Sequence, residues 1–352
     1  MIDIDTMISR TASWLQGRGP ESEIVISSRV RLARNLTGYS FSHRADIDTL
    51  QAVVSKVEKV VRKSFQKYLF VHFEDLNEIE RKILHERHLI SREHAESKLA
   101  RAVAISSDER VSVMVNEEDH LRIQAICSGF QLENALRLVN KIDDQLEKHL
   151  DYAFSPQYGY LTACPTNVGT GIRASVMMHL PGLVLARQMD QVLQAVGKLG
   201  LAVRGWFGEG SEASGNLFQI SNQLTLGNRE IEIVEKLTKI IRQILEHEKN
   251  ARKALLKKEN VLLRDRIGRA FGTLKYAHMI SSSETMNLLS VLRTGIELDI
   301  LKGVDIQVVN ELFLLTQPAH IQKISRRKLN QKERDEKRAG IIRKILRNEH
   351  LE

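Results

Sequence analysis

Ile24-Val25-Ile26-Ser27-Ser28-Arg29-Val30-Arg31-Leu32-Ala33-Arg34 is the stretch on which the reading of this chain turns. Its first half is a β-branched run of the kind that lies in a sheet. On a strand continuing past Ser28, Arg29 and Arg31 stand two residues apart and share one face. Two guanidiniums aimed the same way can meet a single anion, and Arg34 follows close behind.

Working outward, Ala102–Ser106, Val111–Val115 and Tyr160–Cys164 read as further strands. Residues 47–68 carry apolar side chains at helical spacing. Leu121 to Leu150 reads as one or two helices broken near Gly129. After Gly227 the texture changes. Ile233, Leu237, Ile240, Ile244, Ala251 and Leu255 mark a long amphipathic helix. Beyond it the pattern is helical and basic, punctuated by Gly268, Gly272, Gly295, Gly303 and Pro318. The expectation is an α+β fold over residues 1–255 followed by an all-helical C-terminal domain over 256–352.

Composition sets the outer limits. The 352 residues are 42% hydrophobic and 27% charged, enough to bury a sizeable core. No charged-then-apolar leader opens the chain. The most apolar region, Leu180 to Val203, is interrupted by Arg187, Asp190 and Lys198, so no membrane span is expected. The two cysteines, Cys127 and Cys164, lack zinc or disulfide spacing, which fits the reducing cytoplasm. The net charge of +8 points to an anionic partner without choosing one.

The familiar nucleotide motifs are absent: there is no G-x-x-x-x-G-K-[ST] loop and no H-R-D with D-F-G. Arginines near strand ends stand out instead. Besides Arg29 and Arg31 there are Arg122, Arg173 after Gly169-Thr170-Gly171, and Arg204 before Gly205. Five guanidiniums suit a polyphosphate, because phosphoryl transfer needs charge neutralised on several oxygens at once. The plainer alternative for any one of them is a solvated surface arginine. Carboxylates form the second group. Asn116-Glu117-Glu118-Asp119-His120 follows a strand, and Glu209 sits in a glycine-rich loop. Two carboxylates would clamp a guanidinium acceptor by paired hydrogen bonds and take its proton; without that context the run reads as a turn rich in acids. Cys164-Pro165-Thr166-Asn167 places a thiol at a turn, and Cys127 reads as structural.

These blocks resemble, in order, the signature segments of the phosphagen (guanidino) kinases: Ser27–Asn35, Asn116–Arg122, Tyr158–Asn167, Gly169–Val176 and Arg204–Glu209. The resemblance implies an antiparallel sheet flanked by helices and a set of roles. Arg29, Arg31, Arg122, Arg173 and Arg204 would hold the phosphates of ATP, with Mg2+ carried by the nucleotide. Glu118 and Glu209 would bind the guanidinium, one of them as proton acceptor. Glu117, Cys164 and Thr166 would line the substrate pocket, and His88 would pack against adenine. Phe207 and Met177 depart from the usual arginine and histidine of that family, so phosphate and adenine contacts are expected to differ in detail.

Arginine and creatine kinases carry a helical domain ahead of the first signature segment; here only Met1 to Glu23 precede it. An uncovered pocket would admit an arginine borne on a protein chain. With the basic helical C-terminal part, this makes the chain similar to the bacterial protein arginine kinases. That resemblance implies phosphorylation of protein arginines in quality control or regulation. It also implies an activator protein, a Clp-type protease or chaperone partner, and a homodimer or larger homo-oligomer. Arg334-Asp335-Glu336-Lys337-Arg338-Ala339 resembles the family's phosphoarginine-binding segment, with Arg334 for the phosphate and Asp335 for the guanidinium. The rival readings are a free guanidino-metabolite kinase and a non-catalytic phosphoarginine-binding adaptor. Neither a membrane nor a nucleic acid is expected as partner, since the basic helices from Lys323 to Arg347 lack aromatic residues for stacking.

Overall fold

The opening strand runs well past its β-branched half: β1 spans Val25–Arg34, so Arg29 and Arg31 alternate with Val30 and Leu32 across its two faces. The computed structural model describes residues 4–97, 100–206 and 214–348. In chain order, α1 (Ile4–Ile8) and a 3-10 turn (Ser13–Leu15) precede β1. After it come α2 (Ile47–Ser64), β2 (Tyr68–His72), α3 (Glu78–Glu86), α4 (Arg92–Glu96), β3 (Ala102–Ser106), β4 (Val111–Val115), β5 (Leu121–Ser128) and α5 (Leu132–Glu147). A short hairpin, β6 (Phe154–Ser155) with β7 (Gly159–Tyr160), leads into β8 (Ile172–His179), α6 (Pro181–Leu185), α7 (Met189–Lys198), β9 (Leu201–Arg204) and β10 (Leu217–Asn222). Helices complete the described chain: α8 (Glu230–Lys258), α9 (Asn260–Tyr276), α10 (Ser282–Glu297), α11 (Ile306–Leu315), α12 (Pro318–Ser325) and α13 (Gln331–Ile345).

Among the described residues eight strands form one sheet, ordered β2-β3-β4-β5-β1-β8-β10-β9. Each neighbouring pair is antiparallel. One face is apolar: Val30, Leu32, Ile123, Ala125, Ala174, Val176 and Ile220 are buried with side chains of α2, α5 and α8. The opposite face divides. Near the start of β1, Ile26, Ile126, Met177 and Leu217 join the core of the C-terminal helices, with Leu289 and Phe313. Towards the end of β1 the same face carries arginines. On α8, Ala251 still belongs to the sheet core, whereas Leu256 near its end and Leu263 of α9 pack in the helical core.

Three details depart from the sequence reading. Leu121–Ser128 is strand, not helix, because its alternation has period two: Leu121, Ile123, Ala125 and Cys127 face the sheet core. Of Tyr160–Cys164 only Tyr160 pairs as strand. Side chains occupy backbone groups that a ladder would use: Asn35 Nδ2 donates to the Leu161 carbonyl at 3.0 Å, and the Ala163 N–H donates to Asp119 at 2.7 Å. Gly268, Gly272 and Gly295 lie inside α9 and α10 rather than punctuating them. A Cβ on Gly295 would meet Ile267 at 2.7 Å, so that glycine allows the two helices to approach.

A buried ionic knot fastens the helical part to the sheet. Glu297 of α10 lies 2.7 Å from Arg252 of α8 and 2.8 Å from Arg293, with all three side chains buried. His179, ending β8, lies 3.5 Å from the same carboxylate. Burial would raise the Glu297 carboxyl, but Arg252 and Arg293 hold it below its ordinary value. Glu297→Ala would take the shared carboxylate from buried Arg293 and leave Arg252 with Glu248 at 2.6 Å. A stability loss of roughly 3–5 kcal/mol is expected, read by urea denaturation.

Candidate active site

Strand register assembles the arginines. Residues directly opposite in an antiparallel pair project to the same face. Arg31 faces Arg173 across β1 and β8 and Gln124 across β1 and β5. Arg122 faces Ala33, two residues along from Arg31. Arg29 faces Ser175, and Arg204 faces Gln219 on β10. All five line one cleft of about 810 Å³, together with Glu117, Glu118, Cys164 and Thr166. Arg34 belongs elsewhere. It points to the other side of the sheet, pairs with Asp143 at 2.6 Å, and lies over the Tyr160 ring at 3.5 Å.

Bringing these guanidiniums together is electrostatically unfavourable. Enclosure by the protein, then Arg122, Arg173 and Arg204, draw Arg29 down to about 10. Enclosure followed by Arg29, Arg122 and Arg173 pulls Arg31 well below its ordinary value. Arginine nonetheless keeps its proton in proteins, so the shifts express a demand for anionic charge. A polyphosphate meets that demand with several oxygens, each able to accept from a planar fork.

The turn from β4 to β5 places the acids. Asn116 takes a left-handed φ of 59°, and its amide donates to the carbonyls of Leu50 and Ala100, both at 2.8 Å. Glu117 is buried and accepts from Ser91 Oγ at 2.7 Å, Arg122 at 2.8 Å and the Glu118 N–H at 2.8 Å. Burial would raise its carboxyl, but Arg122, that N–H and Ser91 lower it overall. Glu117 therefore aims Arg122 and holds the turn. Asp119 accepts from Asn35 at 2.6 Å and from Ala163 N–H. The His120 ring accepts from the Leu36 N–H at 3.0 Å and lies 2.9 Å from the Ser40 carbonyl, as its donor. With these neighbours anchoring the turn, Glu118 is left with a side chain 43% exposed to the cleft, 3.7 Å from Arg122.

Across the cleft, Cys164 Sγ sits 3.0 Å from Thr166 Oγ1 at the 3-10 turn Pro165–Asn167. Thr225 Oγ1 donates to the carbonyls of Thr166 at 3.1 Å and Val168 at 2.6 Å, tying this turn to the chain after β10.

His88 occupies a smaller hollow beside the cleft, lined also by Trp14, Arg29, Ser175, Met177 and Trp206. Its imidazole stands edge-on to Trp14 at 5.2 Å and Trp206 at 5.0 Å. Burial, then Arg29, push it well below its ordinary value, so it presents a neutral ring. Both tryptophans of the chain thus gather here. Neither was picked out by sequence. Trp206 follows Arg204-Gly205 directly, but Trp14 sits in a segment with no motif. The helical part backs this hollow. Trp206 packs 6.0 Å from Phe313 of α11. Glu86, two residues before His88, accepts from the N–H groups of Ala319 and His320 at 2.7 and 3.0 Å.

Glu209 and Phe207 lie outside the described residues. Arg334 and Asp335 lie on α13, apart from the cleft lining. Arg334 donates to the Leu329 carbonyl at 2.9 Å. Asp335 pairs with buried Arg338, which also donates to the carbonyls of Ile280 and Thr316 at 2.8 and 2.9 Å. No group of three or more side chains suited to a metal ion occurs among the described residues.

A cationic floor beside the exposed Glu118 suits phosphoryl transfer to a guanidinium. The family model described as ATP:guanido phosphotransferase, C-terminal catalytic domain, matches residues 50–251. The fold agrees. Lombricine kinase aligns with TM-score 0.56 at 23% identity, covering 70% of each chain. A duplicated taurocyamine kinase from Schistosoma mansoni aligns with TM-score 0.58 at 21% identity, over 86% of this chain and 49% of that one. A second family model, the protein-arginine kinase McsB C-terminal domain, matches residues 260–352. The protein-arginine kinase of Pelotomaculum thermopropionicum is 50% identical over 98% of both chains. That of Bacillus subtilis is 46% identical over 97% of this chain and 94% of its own. The chain belongs to the protein-arginine kinase family.

Proposed function

We propose that the cleft transfers the terminal phosphoryl group of ATP to the guanidinium of an arginine side chain in a protein. The observation that carries this reading is the sharing of one cleft by five sheet-borne arginines and Glu118. Arg29, Arg31, Arg122, Arg173 and Arg204 hold the phosphates. Glu118 receives the acceptor guanidinium, with Glu209 as the second carboxylate. An N–P bond forms, the P–O bond to ADP breaks, and the nitrogen's proton passes to one of the two. Cys164 and Thr166 border the acceptor, and Glu117 keeps Arg122 in line. Adenine lies against His88, whose neutral ring between two tryptophans suits a flat base. Mg2+ bound on the nucleotide supplies further neutralisation of phosphate charge.

Residues 1–255 act as the catalytic unit in this reading. Residues 256–352 act as the unit that binds phosphoarginine and partners, through Arg334 and Asp335. Arg338 pairs with Asp335 and anchors the segment to the end of α11 and the chain before α10. The biological setting that fits is cytoplasmic protein quality control or regulation, with an activator, a Clp-type partner and a homodimer or larger assembly. None of the described helices is long and apolar enough to cross a membrane.

The test is transfer from labelled ATP to an unfolded arginine-rich protein and to free arginine, side by side. The expected result is acid-labile label, the mark of an N–P bond, on the protein alone. Label on free arginine would return the chain to the metabolite kinases. Transfer to neither would favour the adaptor.

A further inference from the structure

Next to this strongly cationic cleft lie two segments with no charged residue of their own; from outside them, Arg34 and Glu147 meet the Tyr160 side chain. Residues 152–172 and 214–228 contain no Asp, Glu, Lys or Arg, although at the chain's 27% charge their 36 residues would carry about ten. The two segments meet in space. Thr225 Oγ1 bonds to the Thr166 and Val168 carbonyls. A Cβ on Gly169 would fall 2.9 Å from the Leu226 Cα, and one on Gly159 would fall 2.5 Å from the Gly169 carbonyl oxygen. The absence of side chains at Gly159 and Gly169 lets the β6–β7 hairpin lie against the chain at Gly169, and Gly169 lie against Leu226 after β10.

Large apolar side chains stand exposed along this neutral seam. Leu224 is 66% exposed, Leu226 56%, Tyr158 49% and Phe154 57%. Leu224 also lines the cleft, near Cys164, Thr166 and Glu118. The strip therefore starts at the acceptor end of the site and runs outward. Scattered exposed leucines need no explanation, but a continuous uncharged strip opening from a cleft does.

We infer that Leu224, Leu226, Tyr158 and Phe154 form a docking strip for the polypeptide on either side of the target arginine, preferring apolar neighbours in an extended, unfolded segment. The inference rests on the protein-kinase reading above. Its physical basis is the short reach of the acceptor end of the cleft. Glu118 addresses only the guanidinium of the target arginine, while the five arginines are occupied by the phosphates. A neutral apolar strip adds affinity by taking flanking side chains out of water. An extended chain places residues two to four positions from the arginine ~7–13 Å away, beyond the cleft mouth. A folded surface seldom offers an extended run with apolar side chains on both sides of an arginine, so the strip favours segments that have lost their fold. Because these contacts are the same before and during transfer, they act on KM rather than kcat.

The experiment uses two peptides with one arginine each, identical except for Leu and Phe or Ser at the second and fourth positions on either side. Initial rates of label transfer from ATP give KM for each. The full chain is expected to show a KM about tenfold lower for the apolar peptide, the scale of burying one leucine. Leu226→Ser and Phe154→Ser together should bring the ratio close to one. The wild-type comparison needs no variant to fold. Equal KM values on the wild type, or a ratio that survives in the double variant, would overturn the inference. A surviving ratio with lowered apparent mass in sedimentation would assign the strip to a second copy of the chain. Failure of the wild type to label either peptide would instead refute the kinase reading, and the docking strip with it.

Discussion

Glu118→Gln is expected to lower turnover by roughly 10²–10⁴-fold, the range of a lost proton acceptor, with little change in melting temperature. The substitution keeps size and shape and removes the negative charge. The turn itself does not rest on this side chain. Asn116 is bonded to Leu50 and Ala100, Glu117 to Ser91 and Arg122, and Asp119 and His120 to the chain around Asn35 and Leu36. A neutral amide at position 118 still offers one oxygen to a guanidinium, yet it neither balances the cation nor accepts a proton at neutral pH. Steady-state rates and thermal denaturation on the same preparations separate the two effects. Near-normal turnover would remove Glu118 from the chemistry and leave Glu209, or Glu117, as acceptor. Glu117→Gln is a useful contrast. Its carboxylate already accepts three hydrogen bonds, so that change should loosen Arg122 and the turn and show in stability as well as rate.

The contrast between these adjacent glutamates marks where sequence stops being informative. The N-E-E-D-H run was legible as a cluster of acids, and the strand before it was legible from its β-branched residues. Which acids face the cleft depends on a left-handed Asn116 and on partners 26 to 85 positions away in sequence. No local pattern contains that. The arginines were legible for a different reason. Arg29 and Arg31 share a face by the period of a strand, but joining them to Arg122, Arg173 and Arg204 required the strand order β5-β1-β8-β10-β9. The family resemblance assigns the five arginines to one site and implies an antiparallel sheet, without giving that order. β5 was misread because Leu121–Ser128 runs straight into the helical pattern of α5, with only Gly129 between mixed apolar residues. Trp14 escaped notice because its role is purely tertiary: it meets His88 and Trp206, distant in sequence, across the start of the arginine-bearing face.

Arg173→Ala should separate function from stability in sign as well as size. Arg173 stands directly opposite Arg31 on neighbouring strands, and like charges so placed are destabilising. It contributes to the lowering of both Arg29 and Arg31. Removing it relieves part of that repulsion in the nucleotide-free protein, so the melting temperature should hold or rise slightly. Once a polyphosphate is bound the balance reverses. The lost guanidinium would have faced charge spreading over the transferring group, and its absence should lower kcat by roughly 10²–10³-fold, the effect of deleting one preorganised donor. Arg173→Lys restores the charge without the planar fork and should fall between the two. The thermal stabilisation conferred by added ATP supplies a third reading, and it should shrink in Arg173→Ala. A variant with normal kcat and a lowered melting temperature would show the opposite pattern, that of a structural arginine. A stable, nearly inactive variant would mean that the sheet tolerates five crowded cations because the reaction needs them.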